Sequence, residues 1–164
     1  VNGADVTLIH NDGTVPYADV HSVETAAEMT GATLDAVSEA DGLVSAAAIT
    51  DYTVEAADEK LPSEQTIRLD LEPTEKLVDA VRETNPELPI VGFKLESDPE
   101  ALPRSARELL NRVGMAFDVG NHTAAMDGPE TAVEFITNDD RWTFEGSKTE
   151  LGLAIAHELA DVLN

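Results

Sequence analysis

Three groups of residues lie at or just beyond the ends of predicted strands, where an α/β protein would hold a ligand. They are residues 46–52 with Lys60 beyond them, residues 91–96, and residues 120–123. In open α/β sheets, ligands bind at the carboxyl ends of the strands. Small residues there let a ligand approach the backbone, a carboxylate can accept from ribose hydroxyls, and a lysine can neutralise a phosphate. These residue types favour a phosphorylated, sugar-containing ligand.

Each group also has a purely structural explanation. The alanines can pack against a helix, and Lys60 can be an ordinary surface residue. Phe93 can stack on a base or belong to the core. Asn121 and His122 can bind a ligand or form a turn, since both tolerate unusual backbone angles. Residue type alone leaves both interpretations open.

Several well-known kinds of site are missing from the sequence. The chain has no cysteine, which excludes disulfides, thiolate metal sites and a cysteine nucleophile. No P-loop, dinucleotide fingerprint or hydrolase nucleophile elbow occurs. The histidines lack the spacing of metal ligands, so we expect no metal held by the protein alone. They are His10, His21, His122 and His157.

Short apolar segments alternate with helical patterns along the chain, which is typical of an α/β sheet. The continuous apolar run at residues 42–49 predicts a strand buried on both faces. Strands are also predicted at residues 5–10, 20–23, 66–71, 88–93 and 115–119, and those at 132–137 and 141–145 predict a β-hairpin. We therefore expect one domain over residues 1–164, a Rossmann-like three-layer sandwich with a β-hairpin extension.

The predicted helices are placed mainly by their amino-terminal caps. Thr25 with Glu28, and Ser147 with Glu150, have the spacing of capping boxes. They predict helices that end near residues 40 and 163. Thr74 is predicted to cap a third helix that ends near residue 83.

A fourth helix is predicted around two prolines. Pro99 can occupy its first position, and Pro103 is expected to break or kink it. A second stretch, residues 104–113, should end at Gly114. Residues 51–63 have no clean periodicity and predict a loop.

The net charge of the chain is −23, from 33 acidic and 10 basic residues. Like charges on a small surface repel each other, and molar salt shortens the Debye length to ~3 Å. A dispersed acidic surface with four lysines therefore indicates a halophilic protein. This charge argues against a nucleic-acid partner and against an anionic membrane. No signal sequence and no apolar run of ~20 residues occurs, so we expect a cytoplasmic protein.

Seven short motifs, taken in order, resemble those of the phosphopantothenate–cysteine ligase domain. In bacteria and archaea this domain is usually fused behind an FMN-dependent decarboxylase. The motifs span almost the whole chain. They are V-x-T-A-A-E-M at 23–29, A-A-A-I-T-D-Y at 46–52, E-K-L-P-S at 59–63, P-T-E-K-L at 73–77, V-G-F-K-L-E at 91–96, G-N-H at 120–122 and G-S-K-T-E-L at 146–151.

The resemblance implies a nucleotide-dependent ligase of coenzyme A biosynthesis. CTP or ATP, with Mg²⁺, would activate the carboxylate of 4′-phosphopantothenate, and the amine of cysteine would then attack the acyl-nucleotide. The resemblance also implies a homodimer, an upstream FMN decarboxylase domain, and no FMN bound by this domain itself. We expect the dimer interface at the hairpin, residues 131–145.

The resemblance further implies the residues of the site. Lys60 corresponds to the catalytic lysine that contacts the triphosphate. Asn121 and His122 fall in the expected substrate-binding position, where the family usually has Asn-Asp. The remaining nucleotide-binding residues would be Ser45, Ala46, Ala47, Asp51, Glu75, Lys76, Leu77, Val78 and Phe93.

Two departures from the family pattern bear on activity. Leu109 and Val113 occupy positions where the family has lysines that grip the nucleotide, although Arg107 and Arg112 are close in sequence. The family's first strand, its glycine-rich turn and its Asn-containing S-S-G segment would lie before residue 1. The alternatives are therefore a truncated or degenerate nucleotide-binding or interaction module, and an unrelated NAD or flavin oxidoreductase.

Overall fold

The computed structural model describes residues 3–54, 66–122 and 130–164. Two parallel strands form a small sheet at the start of the chain, and a second pair is antiparallel. In chain order the elements are β1 (Thr7–His10), β2 (Asp19–Ser22), α1 (Ala26–Val37), β3 (Leu43–Val44), β4 (Tyr52–Thr53), β5 (Glu72–Pro73), α2 (Leu77–Thr84), β6 (Ile90–Glu96), α3 (Leu102–Val113), β7 (Phe117–His122), β8 (Glu130–Ile136), β9 (Arg141–Ser147) and α4 (Lys148–Leu163).

The central sheet has five strands in the order β3-β6-β7-β8-β9. β3, β6 and β7 run parallel, and β8 and β9 add to them antiparallel. The predicted hairpin is confirmed as β8 and β9. The architecture is thus mixed α/β with helices on both faces of a mixed sheet, which confirms the predicted fold class.

The first core lies between one face of the sheet and the helices α1, α2 and α3. Ile90 and Ile136 contribute from the sheet, and both are fully buried. The apolar face of α3 covers them. It carries Leu102, Ala106, Leu110 and Val113. Their spacing of four, four and three residues is the helical periodicity that places side chains on one face.

The second core lies on the opposite face of the sheet, under α4. Val91, Phe117 and Val119 lie on that face together with Val133 and Phe135. The ring of Phe135 is fully buried, and its centroid is 5.8 Å from that of Phe117. Because successive strand residues point to opposite faces, β6 supplies Ile90 to the first core and Val91 to the second.

The capping boxes are confirmed at both predicted helix starts. The hydroxyl of Thr25 accepts from the backbone N–H of Glu28 at 3.1 Å, and Ser147 accepts from that of Glu150 at 3.3 Å. Gly114 ends α3 with φ 73°, the left-handed conformation that glycine adopts without steric cost.

Two predicted strands are wrong. Residues 42–49 form a strand only at Leu43–Val44, because among the described residues β3 is at the edge of the sheet and pairs with β6 alone. Its side chains are not buried on both faces, since Val44 is 41% exposed. Residues 66–71 are exposed and carry no regular structure, and the strand nearest to them is β5. Their sequence alternates apolar and polar residues, but among the described residues no neighbouring strand pairs with them.

Two predicted helix boundaries are also wrong. Thr74 does not cap α2, because the N-cap is Lys76 and no side chain caps it. Pro103 neither breaks nor kinks a helix but lies in the first turn of α3, where its missing N–H costs nothing. Residues 98–101 form a turn instead, with Ala101 N–H donating to the Asp98 carbonyl at 3.1 Å.

Candidate functional site

The carboxyl ends of β3, β6 and β7 meet at one edge of the sheet, because these strands are parallel neighbours. Open α/β sheets bind ligands at this edge. The described residues of all three predicted ligand-contacting groups lie at or next to these strand ends. Charged side chains that lie together at this edge are therefore candidates for a ligand site.

Asp51 and Lys76 form an ion pair at this edge. The ammonium of Lys76 donates to the carboxylate of Asp51, and the backbone N–H of Thr74 donates to the Asp51 carbonyl at 2.9 Å. The hydrogen bond and charge of Lys76 lower the pKa of Asp51. Their side chains are 51% and 72% exposed, for Lys76 and Asp51 respectively, so a ligand can reach both. The structure thus brings together two residues that the sequence predicted separately.

The start of α2 adds backbone donors beside this pair. Lys76 is the N-cap, with extended backbone angles and no side-chain hydrogen bond to the first turn. The amide groups of a helix start carry partial positive charge and bind anions. Leu77 is buried and Val78 is partly buried against the first core, so they offer the site their backbone rather than their side chains. Glu75 is exposed.

Lys94 is a charged residue of this edge that our sequence analysis missed as a site residue. It lies on β6, on the same face as Gly92, and is partly buried. Its charge adds to that of Lys76 in lowering the pKa of Asp51, and it opposes the rise that burial causes in the pKa of Asp118. The signal was available, because Lys94 is one of only four lysines and directly follows the strand predicted at residues 88–93.

Asp118 is a carboxyl group buried beneath this edge. It is fully buried, and no described residue lies in hydrogen-bond geometry with either of its oxygens. Burial raises its pKa to about 7. The charge of Lys94 opposes that rise, and so does the backbone N–H of Lys94, which approaches the carboxyl without reaching hydrogen-bond geometry. A β-carbon added to Gly92 would lie 2.7 Å from Asp118 Oδ2, so the glycine leaves the room that this carboxyl occupies.

The residues predicted to cradle a nucleotide follow β3. Ser45 is partly buried, and its backbone N–H donates to the Val91 carbonyl at 2.9 Å. Ala46 and Ala47 are exposed, which leaves their backbone accessible. Phe93 is partly buried and packs against the second core, on the sheet face opposite to Lys94.

The remaining predicted residues are only partly described. Asn121 is partly buried near the end of β7 and pairs with Leu95 on β6. His122 is the last residue of β7 and pairs with Glu96. Lys60 lies outside the described residues, so the structure provides no position for the predicted catalytic lysine.

The two departures on α3 have a clear structural basis. Val113 is buried in the first core, and Leu109 packs against the same core. The neighbouring arginines are held elsewhere. Arg112 donates to both carboxylate oxygens of Asp79 at 2.5 Å, and Arg107 donates to the Thr137 carbonyl at 3.3 Å.

The arrangement supports binding of an anionic group. It combines the ammonium groups of Lys76 and Lys94 with the free start of α2, in a chain whose net charge is strongly negative. Within residues 3–54, 66–122 and 130–164, no three His, Asp or Glu side chains converge as a protein-held metal ion requires. Nor does any helix in this part of the chain have the length and apolarity to cross a membrane.

Comparison with known proteins gives consistent matches. The family model of the DNA/pantothenate metabolism flavoprotein C-terminal domain matches residues 1–163. The chain is 38% identical to the coenzyme A biosynthesis bifunctional protein CoaBC of Thermococcus kodakarensis over 84% of its length, and 32% identical to that of Methanocaldococcus jannaschii over 87%. It spans only 36% of the length of each of these relatives.

Solved structures share the fold at lower identity. The DNA/pantothenate metabolism flavoprotein of Streptococcus pneumoniae matches 98% of this chain and 82% of its own, with a TM-score of 0.83 and 18% identity. The C-terminal domain of a CoaBC matches 98% and 76%, with a TM-score of 0.76 and 20% identity. A Cab2 variant in complex with phosphopantothenate-cysteine matches 89% and 54%, with a TM-score of 0.68 and 17% identity.

Proposed function

The chain belongs to the family of DNA/pantothenate metabolism flavoprotein C-terminal domains, and from this we propose that it is a phosphopantothenate–cysteine ligase domain of coenzyme A biosynthesis. Both bifunctional relatives are named for that pathway, and a structural neighbour holds phosphopantothenate-cysteine. The substrates would be 4′-phosphopantothenate, cysteine and a nucleoside triphosphate.

The proposed reaction has two steps. A carboxylate oxygen of 4′-phosphopantothenate attacks the α-phosphorus of CTP or ATP, forming an acyl-nucleotide and releasing pyrophosphate. The amine of cysteine then attacks the acyl carbon, forming the amide, losing a proton and releasing the nucleoside monophosphate. The first step brings an anionic carboxylate against an anionic triphosphate, so cationic groups must offset their repulsion.

The observation that carries this proposal is the convergence of Lys76, Lys94 and the uncapped start of α2 at this edge. We assign this edge to the triphosphate, whose Mg²⁺ would enter with it. Asp51 would then exchange its bond with Lys76 for a bond to a ribose hydroxyl, while the phosphates take its place on the lysine. The exposed backbone of Ala46 and Ala47, next to the partly buried Ser45, would lie along the nucleotide.

Calorimetric titration with CTP and with ATP, each with Mg²⁺, tests this assignment. We expect saturable binding of at least one nucleotide, weakened about 10-fold or more by Lys76→Met, which removes a charge-assisted contact. Lys148→Met is the matched control, because Lys148 is an exposed residue at the start of α4. Equal weakening by both substitutions would show a general charge effect and sink the assignment of Lys76.

Lys60 remains our proposed catalytic lysine on the basis of the E-K-L-P-S motif. We expect Lys60→Gln to abolish pyrophosphate release from CTP or ATP in the presence of 4′-phosphopantothenate. Thermal unfolding should be unchanged. Full activity in a variant of unchanged stability would refute this role.

The second candidate function is a non-catalytic module that binds a nucleotide or a partner chain. The burial of Val113 and the core packing of Leu109 favour it, because α3 then offers no cation at the family's lysine positions. The same titrations separate the two functions. Nucleotide binding without pyrophosphate release, in a chain extended to the length of its relatives, would favour the non-catalytic module.

We also propose a homodimer that uses the hairpin of β8 and β9. β9 is an edge strand of the central sheet, and Trp142 on it is 37% exposed while stacking on Phe135 at 5.3 Å. An exposed edge strand readily pairs with another chain. Light scattering should give twice the monomer mass of 17.5 kDa, and a monomer at all concentrations would contradict the proposal.

Two broader expectations belong to the same proposal. The bifunctional relatives favour an FMN decarboxylase domain upstream in the full-length protein. The net charge of −23 favours adaptation to molar salt. Thermal unfolding across a KCl series checks the second expectation, and a midpoint that does not rise between ~0.1 and ~1 M would contradict it.

A further inference from the structure

Asp118 has no part in the chemistry proposed above. Among the described carboxyl groups, however, it is the one whose pKa burial shifts most. It is fully buried, and its oxygens lack hydrogen-bond partners among the described residues. A carboxylate in such surroundings is costly unless a nearby charge compensates it. Its ionisation therefore depends strongly on whichever charges face it.

The elements packed around Asp118 present few charges. On β6, Lys94 and Glu96 share its sheet face, and on β8 Glu134 does so. The buried side chains of α3 on this face are apolar, while Ser105 of α3 donates to the carboxylate of Glu96 at 3.4 Å. On β9, Arg141 lies 3.5 Å from the carboxylate of Glu134. Lys94 is thus the one cation among the described residues of the two strands adjacent to Asp118 on this face.

Lys94 connects Asp118 to the exposed edge. Asp118 pairs with Gly92 and Lys94 with Gly120, so the two charged residues are diagonal neighbours on adjacent strands. Strand spacing and rise place their β-carbons roughly 8 Å apart. The charge of Lys94 also acts on Asp51, which is bonded to Lys76. A row of charges therefore leads from the core to the proposed phosphate position.

We propose that Asp118 takes up a proton when a phosphate of the ligand binds at Lys94, and releases it when the ligand leaves. The phosphate offsets the charge of Lys94, so the buried carboxylate loses its compensation and the neutral acid becomes favoured. This inference rests on the proposed function for the identity of the ligand. Affinity should fall as pH rises through neutrality, by up to about tenfold per pH unit for one full proton.

A direct titration of the free protein tests the coupling without any nucleotide. The ¹³C resonance of the Asp118 carboxyl, followed from about pH 4 to 9, should titrate near neutrality. In Lys94→Met its pKa should rise by on the order of one unit, as expected for charges roughly 8 Å apart in a partly shielded environment. Lys148→Met, on α4, should leave the pKa of Asp118 unchanged. No rise in Lys94→Met overturns the inference.

Calorimetry tests the coupling to a ligand. CTP with Mg²⁺, and separately inorganic pyrophosphate, are titrated at about pH 7 in two buffers of different ionisation enthalpy, which gives the protons taken up per ligand. The wild type should take up several tenths of a proton more than Asp118→Asn, and comparing the two proteins cancels the protonation of the ligand itself. Equal uptake by both proteins overturns the inference.

The two probes separate the inference from the proposed function. If pyrophosphate binds with this excess uptake but neither CTP nor ATP binds, the proposed nucleotide substrate is wrong and the coupling stands. If no probe binds, the coupling to a ligand is refuted together with the phosphate position. If CTP binds without excess uptake, the proposed function survives and the inference fails.

Discussion

The pH dependence of stability should change when Asp118 is replaced by asparagine. In the folded protein the pKa of Asp118 is raised from 3.8 to about 7, and the largest cause is burial. Between about pH 4 and 7 the folded protein therefore holds a proton that the unfolded chain has lost. Stability falls as pH rises through this window, and the full penalty is present above the folded-state pKa.

The magnitude follows from the size of the shift. A rise from 3.8 to about 7 is about 3 pKa units, which at about 1.4 kcal/mol per unit amounts to about 4 kcal/mol once the group is ionised at pH 8. At pH 5 only about 2 kcal/mol of this penalty has developed. Asparagine has nearly the same shape and carries no charge, so Asp118→Asn should stabilise the protein by up to these amounts.

Urea unfolding at about pH 5 and about pH 8, at one fixed KCl concentration, measures the effect. Urea is preferable to guanidinium because it leaves the ionic strength unchanged, which matters in a chain of net charge −23. Asp139→Asn is the control, since Asp139 is exposed in the hairpin turn. It should change stability by less than about 0.5 kcal/mol. A gain in Asp118→Asn that is equal at both pH values would refute the reasoning.

Three further substitutions test the packing and capping. Gly92→Ala should destabilise the fold by about 1–3 kcal/mol in thermal unfolding, because its β-carbon would lie 2.7 Å from both Asp118 Oδ2 and Met115 Sδ. Gly31→Ala, on the open side of α1 with no atom within 4 Å, should instead stabilise by about 0.5–1 kcal/mol, so loss of stability there would contradict the packing described. Ser147→Ala should cost about 1 kcal/mol by removing the cap of α4, and an unchanged midpoint would refute that cap.

Local patterns in the sequence were sufficient where the interactions themselves are local. Thr25 and Ser147 cap their helices as predicted, because a capping box involves only residues three positions apart. The hairpin and the stop at Gly114 were predicted for the same reason. The prediction of a buried strand at residues 42–49 failed because a continuous apolar run does not reveal whether a strand lies at the edge of its sheet. The prediction that Pro103 breaks or kinks a helix failed because the same proline pattern fits either a helix start or a helix break.

The candidate site likewise has a part that the sequence predicted and a part that only the tertiary structure revealed. The sequence, through its ordered motifs, determined the family and selected Asp51 and Lys76 as separate candidates. Only the tertiary structure joined them in an ion pair, since 25 residues separate them along the chain. It also assigned Phe93 to the second core and brought Lys94 into reach of both Asp51 and Asp118. The register of β6 against β7 sets these relations, and a pairing between distant segments leaves no local pattern in the sequence.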